Sequence, residues 1–388
     1  MTNARSQPFR WKRLIAQIHS WTGAIAFILI VVVTLSGVAS AFLGDLFRLQ
    51  YPDLYGQVES QPGLERVALD ELVTDSASTY EGRFFPLGAN LPGGQFDIDE
   101  VFVYGGVPDD SGGGEIVAVV FDPYTGEMLG SHSIFSSWAY LTVHFHEELL
   151  LGERGAWIVA VSGILLLLFV LTGIYQWLPR RGRVIAKATK LKLRGNGRAK
   201  MFQLHGLIGL WFAVPVALFA ITGTYIAKPH WMANALPEIQ AKTTPEIASK
   251  LTACEETNVS LTDALLIVEE QLPGRDIVGL TMPMPFPQLP PEDAAAFSIG
   301  TRTKIDLHKH EGDERIWVSA KCPGLFHIEQ VDRSSVRESL GAMVYSLHSG
   351  RSFGPLRLPF VIGTGLLMLV LSIAGLYVWW TNTFRVRR

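Results

Sequence analysis

Four histidines stand at matched positions in two copies of one pattern. His19 is followed by glycines four and eighteen residues later, and His205 is followed by glycines at the same two intervals. His146 is followed by glycines six, seventeen and twenty-seven residues later, and His348 repeats all three intervals. Neutral imidazoles are good ligands for transition metals. We therefore expect the histidines to act as two pairs, each with one member from each copy.

Each histidine adjoins an apolar run that is long enough to cross a membrane, which takes roughly 20 residues of helix. Two histidines open the first and third runs, and the other two precede the second and fourth. An ionisable side chain at membrane depth needs a partner, so it is a candidate functional group. The four runs are Gly23 to Leu43, Ala156 to Leu178, Phe202 to Ala227 and Leu358 to Trp380.

The charged residues predict the orientation of these runs. Lys and Arg fill the N-terminal tail, the loop from Pro179 to Lys200 and the C-terminal tail, and none of the 36 acidic residues lies there. By the positive-inside rule, both termini and this loop are cytoplasmic, and residues 45–155 and 228–357 lie outside. The basic loop is expected to lie on anionic membrane lipid, not on nucleic acid. The first run resembles a signal peptide, but its copy deep in the chain predicts a retained helix.

The two outer segments share a plan of one helix followed by strands. The first has an amphipathic pattern over 64–79 and strand patterns over 83–87, 96–104 and 115–121, and the second has the same order over 261–272, 276–282, 296–300 and 315–320. A turn is expected at Asp122 to Glu127, and an interfacial helix over 133–150. Cys254 and Cys322 either form a disulfide, which an oxidising compartment favours, or stay as buried thiols.

The predicted fold class is a membrane α-helical protein with four transmembrane helices arranged as two parallel repeats. Each repeat consists of a helix, an outer α+β domain and a second helix, and a pseudo-two-fold axis along the membrane normal relates the copies. The predicted boundaries are: tail and first span 1–44, first outer domain 45–135, interfacial helix 136–152, second span 153–180, basic loop 181–200, third span 201–228, second outer domain 229–345, histidine motif and fourth span 346–381, and tail 382–388.

Two histidines that approach from different helices of a four-helix bundle can hold haem iron between them. We therefore predict two haem b groups, one held by His19 with His205 and the other by His146 with His348. Glycines beside the ligands, Gly23, Gly206 and Gly209, would leave room for a flat macrocycle. No C-x-x-C-H sequence is present, so the haems are not attached covalently.

Alternatives remain for several of these histidines. Each of the four, taken alone, is explained equally well by a hydrogen bond to a neighbouring helix. His144 lies two positions from His146, points to a different helix face and is an alternative outer ligand. The run from His308 to Glu311 has the composition of a metal site, but in a charged loop it is expected to be solvated.

The motifs resemble one known family. An H-x3-G sequence opens the first and third spans, and L-H-S-G-R-x-F-G occupies Leu347 to Gly354 before the fourth. These features are similar to the PepSY-associated transmembrane family, whose outer segments are PepSY domains, and the resemblance covers essentially the whole chain. The first copy departs from the motif, because Glu147-Glu148-Leu149 follows His146.

Within that family the chain most resembles the FoxB-like ferric-siderophore reductases of the Gram-negative inner membrane, which carry haem and act in the periplasm. The resemblance implies an oxidoreductase that reduces Fe³⁺ in a ferric siderophore to Fe²⁺. The chain has no nicotinamide or flavin motif, so a quinol or a separate reductase is the expected electron donor. Two other functions remain open: a haem-free PepSY anchor that restrains a protease, and an iron or siderophore transporter.

Overall fold

The computed structural model describes residues 11–58, 65–94, 96–110, 113–177, 195–232, 251, 258–283 and 296–384. The chain forms a helical unit (residues 1–41, 144–231 and 347–388) and a sheet unit (residues 42–143 and 232–346). Residues 181–194 of the predicted basic loop, and Cys254, lie outside the described residues.

Eleven α-helices are described here in chain order, and short 3₁₀ turns at Ser40–Phe42, Pro229–Met232 and Arg351–Leu356 accompany them. The helices are α1 (Trp11–Ala39), α2 (Leu43–Gln50), α3 (Leu69–Ala77), α4 (Thr79–Gly82), α5 (Trp138–Glu148), α6 (Glu153–Trp177), α7 (Gly197–Trp211), α8 (Ala213–Ala227), α9 (Leu261–Gln271), α10 (Val336–His348) and α11 (Arg357–Phe384).

Within the described residues, α1, α6 and α11 belong to three helical stretches that are long and apolar enough to cross a membrane. The helices α7 and α8 provide a fourth span if they are counted together, but they are bent by 64°. The prediction of one unbroken helix over this run is therefore wrong.

Pro215 explains this break. A proline has no N–H to donate to the carbonyl four residues earlier, here that of Trp211, and its ring crowds that carbonyl. The first helix does end at Trp211, and Phe212 leaves helical geometry at φ −102° and ψ 10°. At the equivalent position in the first copy stands Leu29, and α1 runs through without a break.

Small residues allow the spanning helices to approach closely. A Cβ at Gly163 of α6 would lie 2.3 Å from Thr224 Oγ1 of α8, and a Cβ at Gly365 of α11 would lie 2.3 Å from Val38 Cγ2 of α1. Membrane helices associate through such small-residue contacts, because lipid provides no hydrophobic drive between them. These two glycines are also equivalent in the sequence repeat, at seventeen residues after His146 and His348.

The sheet unit contains one antiparallel sheet of eight strands, in the order β4-β3-β2-β1-β5-β6-β7-β8. The two predicted outer segments meet in it where β1 pairs with β5, with Ala89 opposite Leu280. The strands are β1 (Phe85–Asn90), β2 (Val101–Pro108), β3 (Gly114–Phe121), β4 (Met128–Ser133), β5 (Asp276–Thr281), β6 (Ala296–Arg302), β7 (Glu314–Ser319) and β8 (Phe326–Gln330).

Alternation along the strands produces two cores, one on each face of the sheet. Val117, Val119 and Phe121 of β3 face a core that also contains residues of α3 and α9. Ala118 and Val120, one position on, belong to a second core with Phe47 and Tyr55. The predicted turn at Asp122 to Glu127 is confirmed, since the Asp122 amide donates to the Glu127 carbonyl at 2.9 Å. Cys322 is disulfide-bonded.

Candidate functional site

The first histidine pair consists of His19 on α1 and His205 on α7. Their ring centroids lie 6.2 Å apart, and the ring planes are nearly perpendicular at 83°. The ring of Phe169 on α6 meets His19 edge to face, at 5.5 Å between centroids. The residues that the sequence places at the starts of two different spans are thus brought together.

The second histidine pair consists of His146 on α5 and His348 at the end of α10. Their ring centroids lie 6.1 Å apart, and the planes are inclined by only 29°. Phe219 on α8 meets His348 edge to face at 5.5 Å. The two pairs therefore have nearly the same spacing but different ring orientations.

That spacing is informative about what fits between the rings. With metal–nitrogen bonds of about 2 Å, and each ring centre about 1.2 Å behind its nitrogen, one metal between two imidazoles sets the centroids about 6.4 Å apart. A direct hydrogen bond of about 2.9 Å would set them only about 5.3 Å apart. The observed 6.2 Å and 6.1 Å are close to the metal-bridged value.

Two of the histidines donate a ring proton to a backbone carbonyl. His205 Nδ1 lies 2.9 Å from the Leu371 carbonyl, and His146 Nδ1 lies 3.1 Å from the Val33 carbonyl. A carbonyl oxygen only accepts, so Nδ1 carries the proton in both rings. Nε2 is then the nitrogen with a free lone pair, which is the atom a metal would bind.

The other two histidines contact threonine hydroxyls. His19 Nδ1 lies 2.8 Å from Thr172 Oγ1, and His348 Nδ1 lies 2.9 Å from Thr222 Oγ1. Each hydroxyl donates its own proton to a carbonyl four residues earlier, Leu168 and Leu218, at 2.6 Å. The threonine oxygens are left as acceptors, so these rings are also protonated at Nδ1. In all four imidazoles Nε2 is then the nitrogen left without a hydrogen-bond role in these contacts, and it is the atom that a metal would bind.

Glycines form the surface on which the imidazoles lie. A Cβ at Gly37 would stand 2.7 Å from His146 Cε1, a Cβ at Gly223 would stand 2.9 Å from His348 Cε1, and a Cβ at Gly375 would stand 3.0 Å from His205 Cε1. At Gly173 the distance to His19 Cε1 is 3.7 Å, an ordinary contact. The repeated glycines are thus required for the approach of at least three rings.

The glycines that the sequence assigned to a cofactor behave differently. A Cβ at Gly23 or Gly206 would meet no atom within 4 Å, and one at Gly209 would meet Leu371 Cδ2 at 3.6 Å. Packing within the described chain therefore does not require glycine at Gly23 or Gly206.

The two pairs lie far apart along α1. His19 belongs to the first pair, and Gly37, which contacts His146 of the second pair, lies eighteen residues further on. At the helical rise this interval is about 27 Å. One small cofactor cannot reach both pairs, so they are two separate sites.

His144 lies apart from this arrangement. Its Nδ1 is 2.7 Å from Glu148 Oε1 on the same helix, one turn away. It is His146, two residues later, whose ring faces His348. The structure therefore places His146, and not His144, in the second pair.

Three further histidines are buried in the sheet unit. His308 and His310 both contact the Tyr345 ring, so the prediction that this run is solvated is wrong for both. Burial lowers the pKa of His308. His132 is buried as well, accepts a hydrogen bond from the Tyr55 hydroxyl at 2.7 Å, and has its pKa lowered by burial.

A buried carboxylate anchors the loop that carries His308. Asp306 contacts Arg275 at 2.5 Å and Arg333 at 3.1 Å. Burial acts to raise the pKa of Asp306, but hydrogen bonds from Thr303 and Asp313, with the Arg275 charge, hold that pKa below its usual value. These ion pairs hold the loop in place, and the charged groups of the cluster neutralise one another.

The donor set restricts which group the histidine pairs fit. Among the described residues, no three His, Cys, Asp or Glu side chains converge on one point to hold a metal ion. Each pair offers two imidazoles, so it suits a metal that brings its other ligands with it. Haem has four in-plane nitrogens and leaves two axial positions for the protein. The two imidazoles of each pair would supply those two ligands, so the residues of both pairs are compatible with haem.

The sequence profile of the PepSY-associated TM region matches residues 16–382. The chain belongs to this family. Together with the apolar helices, the match makes this PepSY-associated TM protein a membrane protein. Both histidine pairs lie inside the matched region, and the resemblance inferred from the sequence motifs is confirmed at the family level. Among curated proteins, no significant match was found.

Sequence reasoning missed the groups that hold the imidazoles in this PepSY-associated TM protein. The sequence repeat shows that Ser36 is equivalent to Thr222, and it also pairs the four glycines that contact the imidazoles. It does not show that these residues contact the histidines. The available signal is a dipeptide, hydroxyl then glycine, at Ser36-Gly37, Thr172-Gly173 and Thr222-Gly223. A polar residue next to a glycine in an apolar helix marks a place where another side chain approaches closely.

Proposed function

We propose that this protein is an inner-membrane oxidoreductase of the FoxB-like type. In this proposal it holds two haem b groups, at His19 with His205 and at His146 with His348, and it reduces the Fe³⁺ of a ferric siderophore to Fe²⁺. A bound haem supplies a one-electron couple between ferrous and ferric iron. The single observation that carries the proposal is the presence of two imidazole pairs at metal-bridging distance with every Nδ1 committed elsewhere.

The chain provides for two such sites in series. The interval of about 27 Å along α1 is close to the thickness of the hydrocarbon core, which is about 30 Å. Apolar helices surround both pairs, and so exclude water and ions from the interval between them. The two segments that form the sheet follow α1 and α8 in the chain. Each of them ends at a helix that carries one histidine of the second pair, α5 or α10. That connectivity supports reduction of the substrate on the side of the second pair.

The reaction balances with an external donor. Oxidation of one quinol to the quinone releases two electrons and two protons, enough to reduce two ferric complexes by one electron each. A separate reductase that delivers single electrons satisfies the same balance. Reduction loosens siderophore iron, because hard oxygen ligands favour the smaller and more highly charged Fe³⁺ over Fe²⁺.

The sidedness belongs to the same proposal. The basic segments would hold both termini and the 181–200 loop at the cytoplasmic face, against anionic lipid. The sheet unit would then be periplasmic, and a ferric siderophore would be met there. No nucleic-acid partner is proposed.

Two measurements test the proposal on the full-length protein. The pyridine haemochrome assay should give two non-covalent haems per chain, and dithionite reduction should give the spectrum of six-coordinate b-type haem. A chain without haem would leave the anchor or transporter functions standing and would reject the conduit. In proteoliposomes of known orientation, a membrane-impermeant ferric siderophore should oxidise the reduced protein only from the face of the sheet unit. Equal rates from both faces would contradict the proposed direction.

A further inference from the structure

Three of the four imidazoles rest on a hydroxyl residue that is followed by a glycine. Thr172 contacts His19, Thr222 contacts His348, and Ser36 lies 3.2 Å from His146 Nδ1. The fourth ring, His205, uses a carbonyl, and the residue before its glycine is Ala374. Each of these three hydroxyls belongs to a different helix from the imidazole that it contacts.

We propose that Thr172 and Thr222 are positioning residues that fix the tautomer of His19 and His348 and set the reduction potential of the metal each would bind. This inference rests on the proposed function, since it requires a redox metal at each pair. It assigns a role to residues that contact neither the metal nor the substrate.

The tautomer of each imidazole depends on where the threonine hydroxyl proton lies. Each threonine proton is taken by a helix carbonyl at 2.6 Å, so its oxygen can only accept from the imidazole. Without that acceptor, no hydrogen bond from Nδ1–H to the threonine favours the tautomer with its proton on Nδ1. A proton on Nε2 would block the nitrogen that a metal would bind.

The reduction potential of a bound metal depends on the basicity of its imidazole ligand. An imidazole that donates Nδ1–H to an acceptor is a stronger electron donor to its metal, and outer contacts of this kind change metal affinity or activity by about 10–100-fold. A stronger donor favours the ferric state. Loss of the threonine oxygen should therefore raise the reduction potential of that site alone.

Ser36 provides an internal contrast, although it is equivalent to Thr222 in the repeat. His146 Nδ1 has a second acceptor at 3.1 Å, the Val33 carbonyl, whereas the described contact of His348 Nδ1 is with the Thr222 hydroxyl. Both hydroxyls also contact two helix carbonyls, so the contrast lies in the second acceptor of His146. We therefore assign Ser36 a minor role, since the carbonyl can hold the ring without it.

The test is potentiometric titration of the purified full-length protein with Thr172→Val and Thr222→Val, which keep the shape and remove the hydroxyl. Each should shift the reduction equilibrium of one haem by about tenfold toward the ferrous state, which is 59 mV for a one-electron couple. Thr172→Ser and Thr222→Ser should restore the original value. Ser36→Ala should shift it much less than Thr222→Val.

The matched control is Thr224→Val. Thr224 lies on the same helix as Thr222, is buried, and donates only to the Ala220 carbonyl in the described structure, at 2.7 Å. It should leave both potentials unchanged. If a valine variant loses a haem instead, loss confined to that pair and reversed by serine supports the proposal. Retention of both haems with unchanged potentials in Thr172→Val and Thr222→Val would overturn it, while absence of haem from the unmodified protein would reject the proposed function itself.

Discussion

Under the proposed function, replacement of the glycines that contact the imidazoles by alanine should remove the haems in a graded order. A new Cβ at Gly37 would lie 2.7 Å from His146 Cε1, and ordinary contact begins at 3.4 Å. The ring must therefore retreat by about 0.7 Å, and a close-packed helix interface leaves little room for it. Metal–ligand distances in a real site hold within about 0.2 Å, so the second pair should lose most of its haem.

The same reasoning ranks the other variants. At Gly223 and Gly375 the distances from the new Cβ to the imidazole, 2.9 Å and 3.0 Å, require smaller retreats, and at Gly173 the 3.7 Å contact requires none. The expected order of haem loss is Gly37→Ala, Gly223→Ala, Gly375→Ala and last Gly173→Ala. The first two should affect the second pair and the third should affect the first pair, as measured by haem per chain and by redox difference spectra.

Gly363→Ala provides the control for this series. Gly363 lies within α11 and a Cβ there would meet nothing within 4 Å. Alanine is the better helix former by about 1 kcal/mol, so none of these variants should weaken its helix. Equal haem loss in Gly363→Ala and Gly37→Ala, or full haem content in Gly37→Ala, would refute the contact argument.

Three further predictions concern the ligands and the sheet unit. His19→Ala and His205→Ala should each remove the same haem and leave the other, whereas His144→Ala should leave both; redox difference spectra decide, and loss of different haems from the first two would disprove the pairing. The 83° and 29° ring angles should give the two ferric haems distinct electron paramagnetic resonance signals, one dominated by a single large-g feature and one rhombic; a single signal type would contradict them. Burial lowers the pKa of His132 below the ordinary 6.5. The unfolded chain therefore binds the proton first on acidification, so the free energy of unfolding should fall below that pH, by up to about 1.4 kcal/mol per pH unit. Melting temperatures of the full-length protein at several pH values test this, with a shallower dependence expected for His132→Gln and a flat profile arguing against it.

The sequence was sufficient for the parts of the fold that depend on local patterns. Apolar runs located the helices α6 and α11 to within four residues, whereas α1 begins at Trp11, twelve residues before the predicted run. Six strands lie at or overlap the predicted strand-like runs. The strands β4 and β8 escaped, because MLGSHS and FHIEQ mix polar and apolar residues without a clear period. Those strands form because β3 and β7 offer edges with which to pair, which is tertiary information.

The bend in the third span could have been predicted from the sequence, but the length of the apolar run was given more weight than its proline. Pro215 stands in the middle of an apolar run, and hydropathy alone does not register a missing N–H. The burial of His308 and His310 was not readable, since it depends on Tyr345 from a helix more than thirty residues away in the chain. In both cases the composition of the segment predicted one environment and a specific contact determined another.

The histidine pairs show how far a sequence repeat can specify a site. Matched spacing was enough to predict which imidazoles face each other, because it fixes their positions along equivalent helices. It was not enough to predict what holds each ring, since Thr222 and His348 are separated by 126 residues and Thr172 and His19 by 153. In each pair one ring donates to a carbonyl and the other to a threonine hydroxyl, and the ring angles differ between pairs. The two histidine pairs are therefore chemically unequal, although each consists of two imidazoles, and that inequality is what a directed flow of electrons between the proposed haems would need.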